Sequence, residues 1–391
     1  MSVRVYFDNS ATTPLDPEVG RAMAPFLDAA FGNPSSLHQA GREARAAVEA
    51  ARGEVASLVG AEPAEIVFTG SGTEADNLAL VGAFEQDAAR RHFVASAIEH
   101  PAVLETLRYL EARGAAVTQV RPDSDGIVSA AEIAAALRPD TRLVSVMAAN
   151  NVVGTLQPVA QIGRLCRERG VLFHTDAVQA AGKMPLDVRA DAIDLLSMSA
   201  HKLHGPKGVG ALFVRKGVTL APVVHGGGQE RGLRSATENV AGIVGFGRAA
   251  ALARANRADE AARLVSLRDR LLTGLGASVP SLRLLGHRFR RLPGHLCLAL
   301  EGQEGETIKL LLALDEAGIA VSTGSACSAS HASQPSHVLV AMGLDPIRAR
   351  GSLRLTLGRF NTDAEVARFL AVFPNIVASL RPVMSRPLAS A

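Results

Sequence analysis

The sequence predicts an α/β protein with a mostly parallel, seven-stranded sheet and a smaller α+β domain after it. Three observations carry that reading. Between about residues 42 and 250, short apolar runs alternate with longer amphipathic ones, the pattern of strands and helices stacked in layers. The joints carry helix-end chemistry. After about residue 255 the alternation gives way to one long helical stretch followed by mixed short elements.

The strand candidates are 65–69, 93–97, 116–120, 142–148, 171–176, 195–199 and 210–214. They are short and almost wholly apolar, as strands covered on both faces are. Helix candidates between them are 73–84, 102–113, 130–137 and 159–169. Ser129 followed by Glu132 reads as a capping box opening the third helix. Gly114 and Gly170 stand where helix C-terminal glycines belong. In the second part, 256–275 reads as a helix, 296–300 as a strand, 306–316 as a helix and 354–357 as a strand. The expected division is a large domain over 15–255, with 1–14 and 256–391 forming the small one. The segment 381–391, with two prolines and small residues, reads as a loose tail.

Composition narrows the function classes. The chain has 391 residues, 48% of them hydrophobic and 20% charged, enough for a large core and too apolar for disorder. The formal charge of +3 is scattered, with no Lys/Arg block, so direct nucleic-acid binding is not expected. No stretch of about 18 apolar residues is free of charge, so a membrane span is not expected. The three cysteines, Cys166, Cys297 and Cys327, show neither a C-x-x-C pair nor metal-ligand spacing, so no metal site is expected. The low, odd count and the lack of an apolar signal region behind residues 1–9 suggest a reducing, cytoplasmic setting.

Three strand ends carry chemistry. Residues 199–208, SAHKLHGPKG, place Lys202 just past an apolar strand. Partial burial there would lower its pKa and suit an amine that forms a Schiff base, against the plainer reading of a loop lysine reaching for solvent. Residues 173–179, FHTDAVQ, put Asp176 at another strand end, where an acid either keeps a pyridinium nitrogen protonated or caps the next segment. Residues 69–75, TGSGTEA, join a strand to a helix through a Gly-rich turn, an anion site that matches neither a Walker A motif nor the dinucleotide fingerprint. A phosphate cradle, an Asp and a Lys, in that order on an α/β frame, suggest an enzyme that uses pyridoxal 5'-phosphate.

The chain resembles the cysteine desulfurases, the NifS/IscS-like group of the class-V aminotransferases. The matching segments run along nearly the whole sequence: YFDNSATTP at 6–14, FGNPSS at 31–36, GTEADN at 72–77, EH at 99–100, HTD at 174–176, HK at 201–202, HGGGQER at 225–231, RSAT at 234–237, GSACS at 324–328 and RLTLGR at 354–359. The resemblance implies the fold type I of pyridoxal-phosphate enzymes and a role for each matched residue. Lys202 would carry the cofactor covalently. Asp176 would face the ring nitrogen, Gln179 the ring hydroxyl, and His100 would stack on the ring. Thr73, Ser199 and His201 would hold the phosphate, with Thr237 reaching the phosphate of a partner copy in a homodimer. Asn151 and Arg354 would bind the substrate carboxylate.

Cys166 and Cys297, on a helix and in an apolar strand, read as core residues. Cys327 lies in the small polar run STGSACSASH at 322–331, where a thiol is accessible. The resemblance makes it the residue that takes sulfur from L-cysteine as a persulfide, leaving L-alanine, and passes it to an acceptor protein. That acceptor would be an iron–sulfur scaffold or a thiolation enzyme, with tRNA thiolation and DNA phosphorothioation as open destinations.

Three positions depart from the family. Residues 150–154 read NNVVG where Asn-Asn-Glu-x-Gly is usual, so Val152 replaces a carboxylate. Ala236 stands where glycine is usual. The segment after Cys327 is slightly long, and its Gln334-Pro335 pair is similar to selenocysteine lyases, the nearest rival activity. A class-V aminotransferase in which Cys327 is incidental is the other rival.

Overall fold

A computed structural model of the chain describes residues 4–323 and 335–380. In chain order its strands are β1 (Val5–Tyr6), β2 (Ile66–Thr69), β3 (His92–Ser96), β4 (Ala116–Val120), β5 (Thr141–Ser145), β6 (Leu172–Asp176), β7 (Leu195–Ser199), β8 (Gly210–Val214), β9 (Leu282–Leu284), β10 (His295–Leu300), β11 (Ile319–Ala320), β12 (Ser322–Thr323) and β13 (Ser352–Thr356). Its α-helices are α1 (Pro17–Met23), α2 (Gln39–Val59), α3 (Gly72–Gln86), α4 (Pro101–Glu111), α5 (Ala130–Ala136), α6 (Val159–Glu168), α7 (Val240–Ser278), α8 (Thr307–Glu316), α9 (His337–Ala341) and α10 (Asp363–Ser379).

Seven strands form the main sheet in the order β2-β8-β7-β6-β5-β3-β4. Only β8 runs antiparallel to its neighbours; the pairings β7–β6, β6–β5, β5–β3 and β3–β4 are parallel. Each of the seven expected strands lies within three residues of an observed one at both ends. The apolar runs are explained by cover on both faces. Neighbouring residues of one strand enter different cores: Phe68, Val94, Leu196 and Phe213 join one cluster, whereas Val67, Phe93, Leu195 and Leu212 join the other. The Ser129/Glu132 capping box is present, and Gly114 and Gly170 take left-handed φ of 93° and 63° at the ends of their helices.

The second body is an antiparallel sheet, β12-β13-β10-β9, with β1 and β11 paired beside it. Its own core joins Val5 and Phe7 to Leu296, Leu353 and Phe369. Helix α7 connects the two bodies. The sequence reading begins it at 256, but it starts at Val240 and runs 39 residues. Its Ile243, Phe246 and Ala253 pack into the large core, and its Leu264, Leu271 and Leu275 into the small one.

Two long helices have no counterpart in the sequence reading. In α2 the buried face does recur at helical spacing, but Val48, Val55, Leu58 and Val59 alternate there with Gly41, Ala44, Ala51, Ala56 and Arg52, which dilute the apolar stripe. In α10 the internal Pro374 reads as a breaker, although Thr362 and Glu365 form a capping box at its start. Among the described residues no helix is long and apolar enough to cross a membrane.

Candidate active site

The carboxyl ends of the parallel strands and the N-terminal segment before α1 enclose an open cleft of about 990 Å3. This is where ligands of such sheets sit. Nine sequence-predicted residues line it: Thr73, His100, Asn151, Asp176, Gln179, Ser199, His201, Lys202 and Arg354. Thr237 does not line the cleft of its own chain and is exposed. Cys327 lies outside the described residues.

Lys202 ends the 3-10 turn Ala200–Lys202 that follows β7 directly. Its half-buried ammonium donates to the backbone oxygens of Ser10 at 2.5 Å and Ala11 at 2.7 Å. The Gln179 amide donates from Nε2 to the same Ser10 oxygen at 2.9 Å and accepts at Oε1 from Lys183 Nζ at 3.1 Å. Burial first, and the charge of Lys202 second, draw the Lys183 ammonium down to about 7. The sequence reading gives Lys183 no role.

Asp176 terminates β6, and its Oδ1 accepts the Val178 N–H at 2.8 Å. It therefore caps the next segment and still faces the cleft. Burial pushes its carboxyl up to about 6, with the charge of Asp76 adding, and His100 and the Val178 N–H opposing. Two residues earlier on the strand, His174 bridges Ser145 Oγ at 2.8 Å and Ser197 Oγ at 3.0 Å, on the strands either side. Asp76 Oδ1 lies 3.5 Å from that ring and has no hydrogen-bond partner among the described residues.

His100 N-caps α4, its Nδ1 accepting from Ala102 N at 3.1 Å. Its neighbour Glu99 is fully buried. Glu99 Oε1 accepts from Ser96 Oγ at 2.5 Å and Met147 N at 2.7 Å. Burial holds its pKa well above the usual carboxylate range, and the charges of Asp176 and Asp76 add to the rise.

At the entrance to α3, Ser71 N-caps the helix and accepts from Glu74 N at 3.1 Å. A side chain on Gly72 would come within 2.7 Å of Val178, so only glycine lets the helix start against the cleft wall. This leaves a positive helix end facing the cavity beside Thr73. His201 sits opposite, with its proton affinity drawn down to about 4 by burial and the charges of Lys202 and Lys207. It is a neutral hydrogen-bonding group near pH 7.

Arg354, on β13, is 2% exposed. Its Nη1 donates to Asn151 O at 3.0 Å and its Nη2 to Asp8 Oδ1 at 2.9 Å. Its Nε has no hydrogen-bond partner among the described residues. Val152, where the family usually has a carboxylate, is buried in an apolar cluster with Ile98, Cys297, Val338 and Leu339. Cys166 and Cys297 are buried, and burial pushes both thiols up to about 12. They remain protonated and inert, as core thiols do.

The aminotransferase class-V family model matches residues 5–369. A cysteine desulfurase from Cereibacter sphaeroides is 51% identical over 380 residues, covering 97% of each chain. Cysteine desulfurase IscS from Methanosarcina thermophila is 49% identical over 378 residues, 96% of this chain and 93% of the relative. The chain belongs to the cysteine desulfurases. The architecture agrees: a solved NifS-like protein, 41% identical, superposes with a TM-score of 0.90 over 97% of this chain and 100% of its own.

Cysteine desulfurases are pyridoxal-phosphate enzymes, and this cleft has the features such a group requires. An amine, a buried acid and a helix N-terminus face one cavity. The glycine at position 72 keeps the phosphate end clear. Arg354 also lines the cleft, and among the described residues its Nε has no partner, so a carboxylate placed there would gain that bond.

Proposed function

We propose that the cleft binds pyridoxal 5'-phosphate on Lys202 and removes the sulfur of L-cysteine, leaving L-alanine and a persulfide on Cys327. The observation that carries this reading is the meeting of Lys202, Asp176 and Arg354 in one cavity. When bound, pyridoxal phosphate supplies an electron sink that lets the substrate α-carbon lose a proton and weakens the adjacent bond between the β-carbon and sulfur.

The chain's residues divide the remaining tasks. Asp176 keeps a proton at the ring nitrogen, and Gln179 Nε2 donates to the ring hydroxyl. Thr73, Ser199, His201 and the α3 N-terminus hold the phosphate, with Thr237 added from a second copy. Arg354 and Asn151 fix the substrate carboxylate, which sets the α-proton within reach of Lys202 Nζ. The bond pair of the breaking C–S bond stays with the substrate carbon. The Cys327 thiolate would attack the sulfur, forming S–S as C–S breaks, and two protons, one delivered to the β-carbon by His100 and one returned to the α-carbon by Lys202, would complete alanine.

In this reading the enzyme is a cytoplasmic homodimer of large (15–255) and small (1–14 with 256–391) domains. The persulfide then passes to an acceptor protein of iron–sulfur cluster assembly. The division at 255/256 is supported by the change of core along α7 between Ala253 and Leu264.

Borohydride reduction followed by peptide mapping tests the assignment: the pyridoxyl group should be on Lys202, and finding it on Lys183 or Lys207 rejects it. Incubation with L-cysteine and alkylation should add one sulfur to the peptide containing Cys327. A Cys327→Ser protein should stay yellow and make almost no alanine from L-cysteine. If it makes alanine at the wild-type rate, Cys327 is not the sulfur acceptor.

A further inference from the structure

Arg354, which lines the cleft, carries a charged partner that the proposed chemistry does not use. Arg354 would receive the substrate carboxylate, yet it already has an acid on it. Asp8 Oδ1 lies 2.9 Å from Nη2, on a guanidinium 2% exposed. The Asp8 side chain itself is 18% exposed.

The fold fixes Asp8 in that position. Tyr6 Oη donates to the backbone oxygens of Asp8 at 3.0 Å and Thr12 at 2.9 Å. The Ala11 N–H closes a turn onto Asp8 O at 3.0 Å. Asp8 bridges Thr356, two residues beyond Arg354 on β13. The segment carrying Asp8 is thus held along the strand carrying Arg354, and the ion pair follows from that pairing. The remaining donors of Arg354 divide clearly. Nη1 is fixed on Asn151 O, whereas Nε is buried without a partner among the described residues.

We propose that Asp8 is a positioning residue that sets the affinity of the cleft for the substrate carboxylate. It holds Arg354 as its standing counter-ion, so the guanidinium is oriented before substrate arrives. The incoming carboxylate takes the unsatisfied Nε edge and shares the cation with Asp8. Two carboxylates on one guanidinium repel, so binding is weaker than an unpaired arginine would give. The consequence is a site that binds the amino acid, and releases its alanine product, without a deep trap. This inference rests on the reading of Arg354 as the carboxylate ligand.

The test uses the pyridoxal-phosphate-loaded protein, L-alanine as a non-desulfurating probe, and L-alaninamide as the same probe without a carboxylate. Binding is read from the change in the visible spectrum, with no turnover involved. Asp8→Asn keeps the acceptor oxygen for Nη2 and removes the charge. The half-saturating L-alanine concentration should fall about tenfold, and that for L-alaninamide should stay within about twofold, since only one probe carries the repelled charge. Asp8→Glu, which restores the charge, should return L-alanine binding to within about threefold of wild type, and it answers the question if Asp8→Asn fails to fold. Unchanged or weaker L-alanine binding in Asp8→Asn overturns the proposal. So does a Glu variant that binds L-alanine as tightly as the Asn variant was expected to. Arg354→Gln separates the underlying reading: if the preference for L-alanine over L-alaninamide survives it, Arg354 does not bind the carboxylate, whatever Asp8 does.

Discussion

Replacing Asp176 by Asn should make the cofactor-free protein more stable and the loaded enzyme almost inactive. The carboxyl is 5% exposed, and burial together with the charge of Asp76 raises it from the ordinary 3.8 to about 6. An acid with a raised folded-state pKa holds more protons folded than unfolded between those values, so stability falls as pH rises through that window and stays low above it. The gap from 3.8 to about 6 corresponds to roughly 3 kcal/mol lost above pH 6. Asn avoids the charge and keeps an oxygen for the Val178 N–H, now at 2.8 Å from Asp176. With about 2.1 cal/mol/K of unfolding entropy per residue over 391 residues, the gain in Tm is about 4 °C at pH 8 and about half that at pH 5. Scanning calorimetry of both proteins, stripped of pyridoxal phosphate, at the two pH values measures it. In the loaded enzyme the same change removes the group we propose as proton holder at the ring nitrogen, and on that reading alanine production should drop by at least about 100-fold. A Tm for Asp176→Asn equal to or below wild type at pH 8 refutes the burial argument.

Other consequences are equally direct. Mixing Lys202→Ala and Thr237→Ala subunits, each inactive alone, should restore part of the activity in heterodimers; no recovery despite demonstrated subunit exchange removes Thr237 from the partner's site. Ala236 has a φ of 157°, in a region that suits glycine, so Ala236→Gly should raise stability by up to about 1 kcal/mol in denaturant titrations. Cys166→Ser and Cys297→Ser each place a hydroxyl in an apolar core; both should lower stability by about 1–3 kcal/mol and leave alanine yield per folded enzyme unchanged. Glu230→Gln should cost about 3 kcal/mol or more, because Arg52, its partner at 2.7 Å, is buried with it.

Much of this architecture was legible because its strands are buried on both faces. Apolar runs such as Ile66–Thr69 and Leu195–Ser199 need no tertiary information to stand out. The helix α2 has an apolar period, Ala44, Val48, Ala51, Val55 and Val59, but part of it is carried by alanine, which also occurs on the exposed face, so the contrast between the faces is weak. The cleft residues divide in the same way. Lys202 and Asp176 announce themselves as charges at strand ends. Asp8 lies inside a motif that the sequence reading quoted, but its bond to Arg354 crosses 346 residues, and no local pattern encodes that. Lys183 lies four residues beyond Gln179, yet nothing in the local sequence says that this lysine is buried and aimed at that amide.

The replacement of the usual carboxylate by Val152 has a physical reading. The side chain at 152 is 2% exposed, and its cluster includes Val338 and Leu339 of α9, the helix that follows the segment bearing Cys327. Its backbone oxygen also accepts from His295 Nε2 at 2.8 Å. That ring lies on β10, which pairs directly with the strand of Arg354. Position 152 therefore joins β10, the neighbour of the strand carrying Arg354, to α9, through its backbone oxygen on one side and an apolar contact on the other. Val152→Glu would put an acid among Ile98, Val153 and Cys297, where it must either take up a proton or open the cluster. The variant should lose about 2–4 kcal/mol of stability near pH 8, less near pH 5 where the acid can stay neutral. It should also slow sulfur transfer to Cys327 more than it weakens L-alanine binding, because the first depends on where α9 is anchored and the second on Arg354. Equal loss in both measurements would mean that the cluster merely supports the fold.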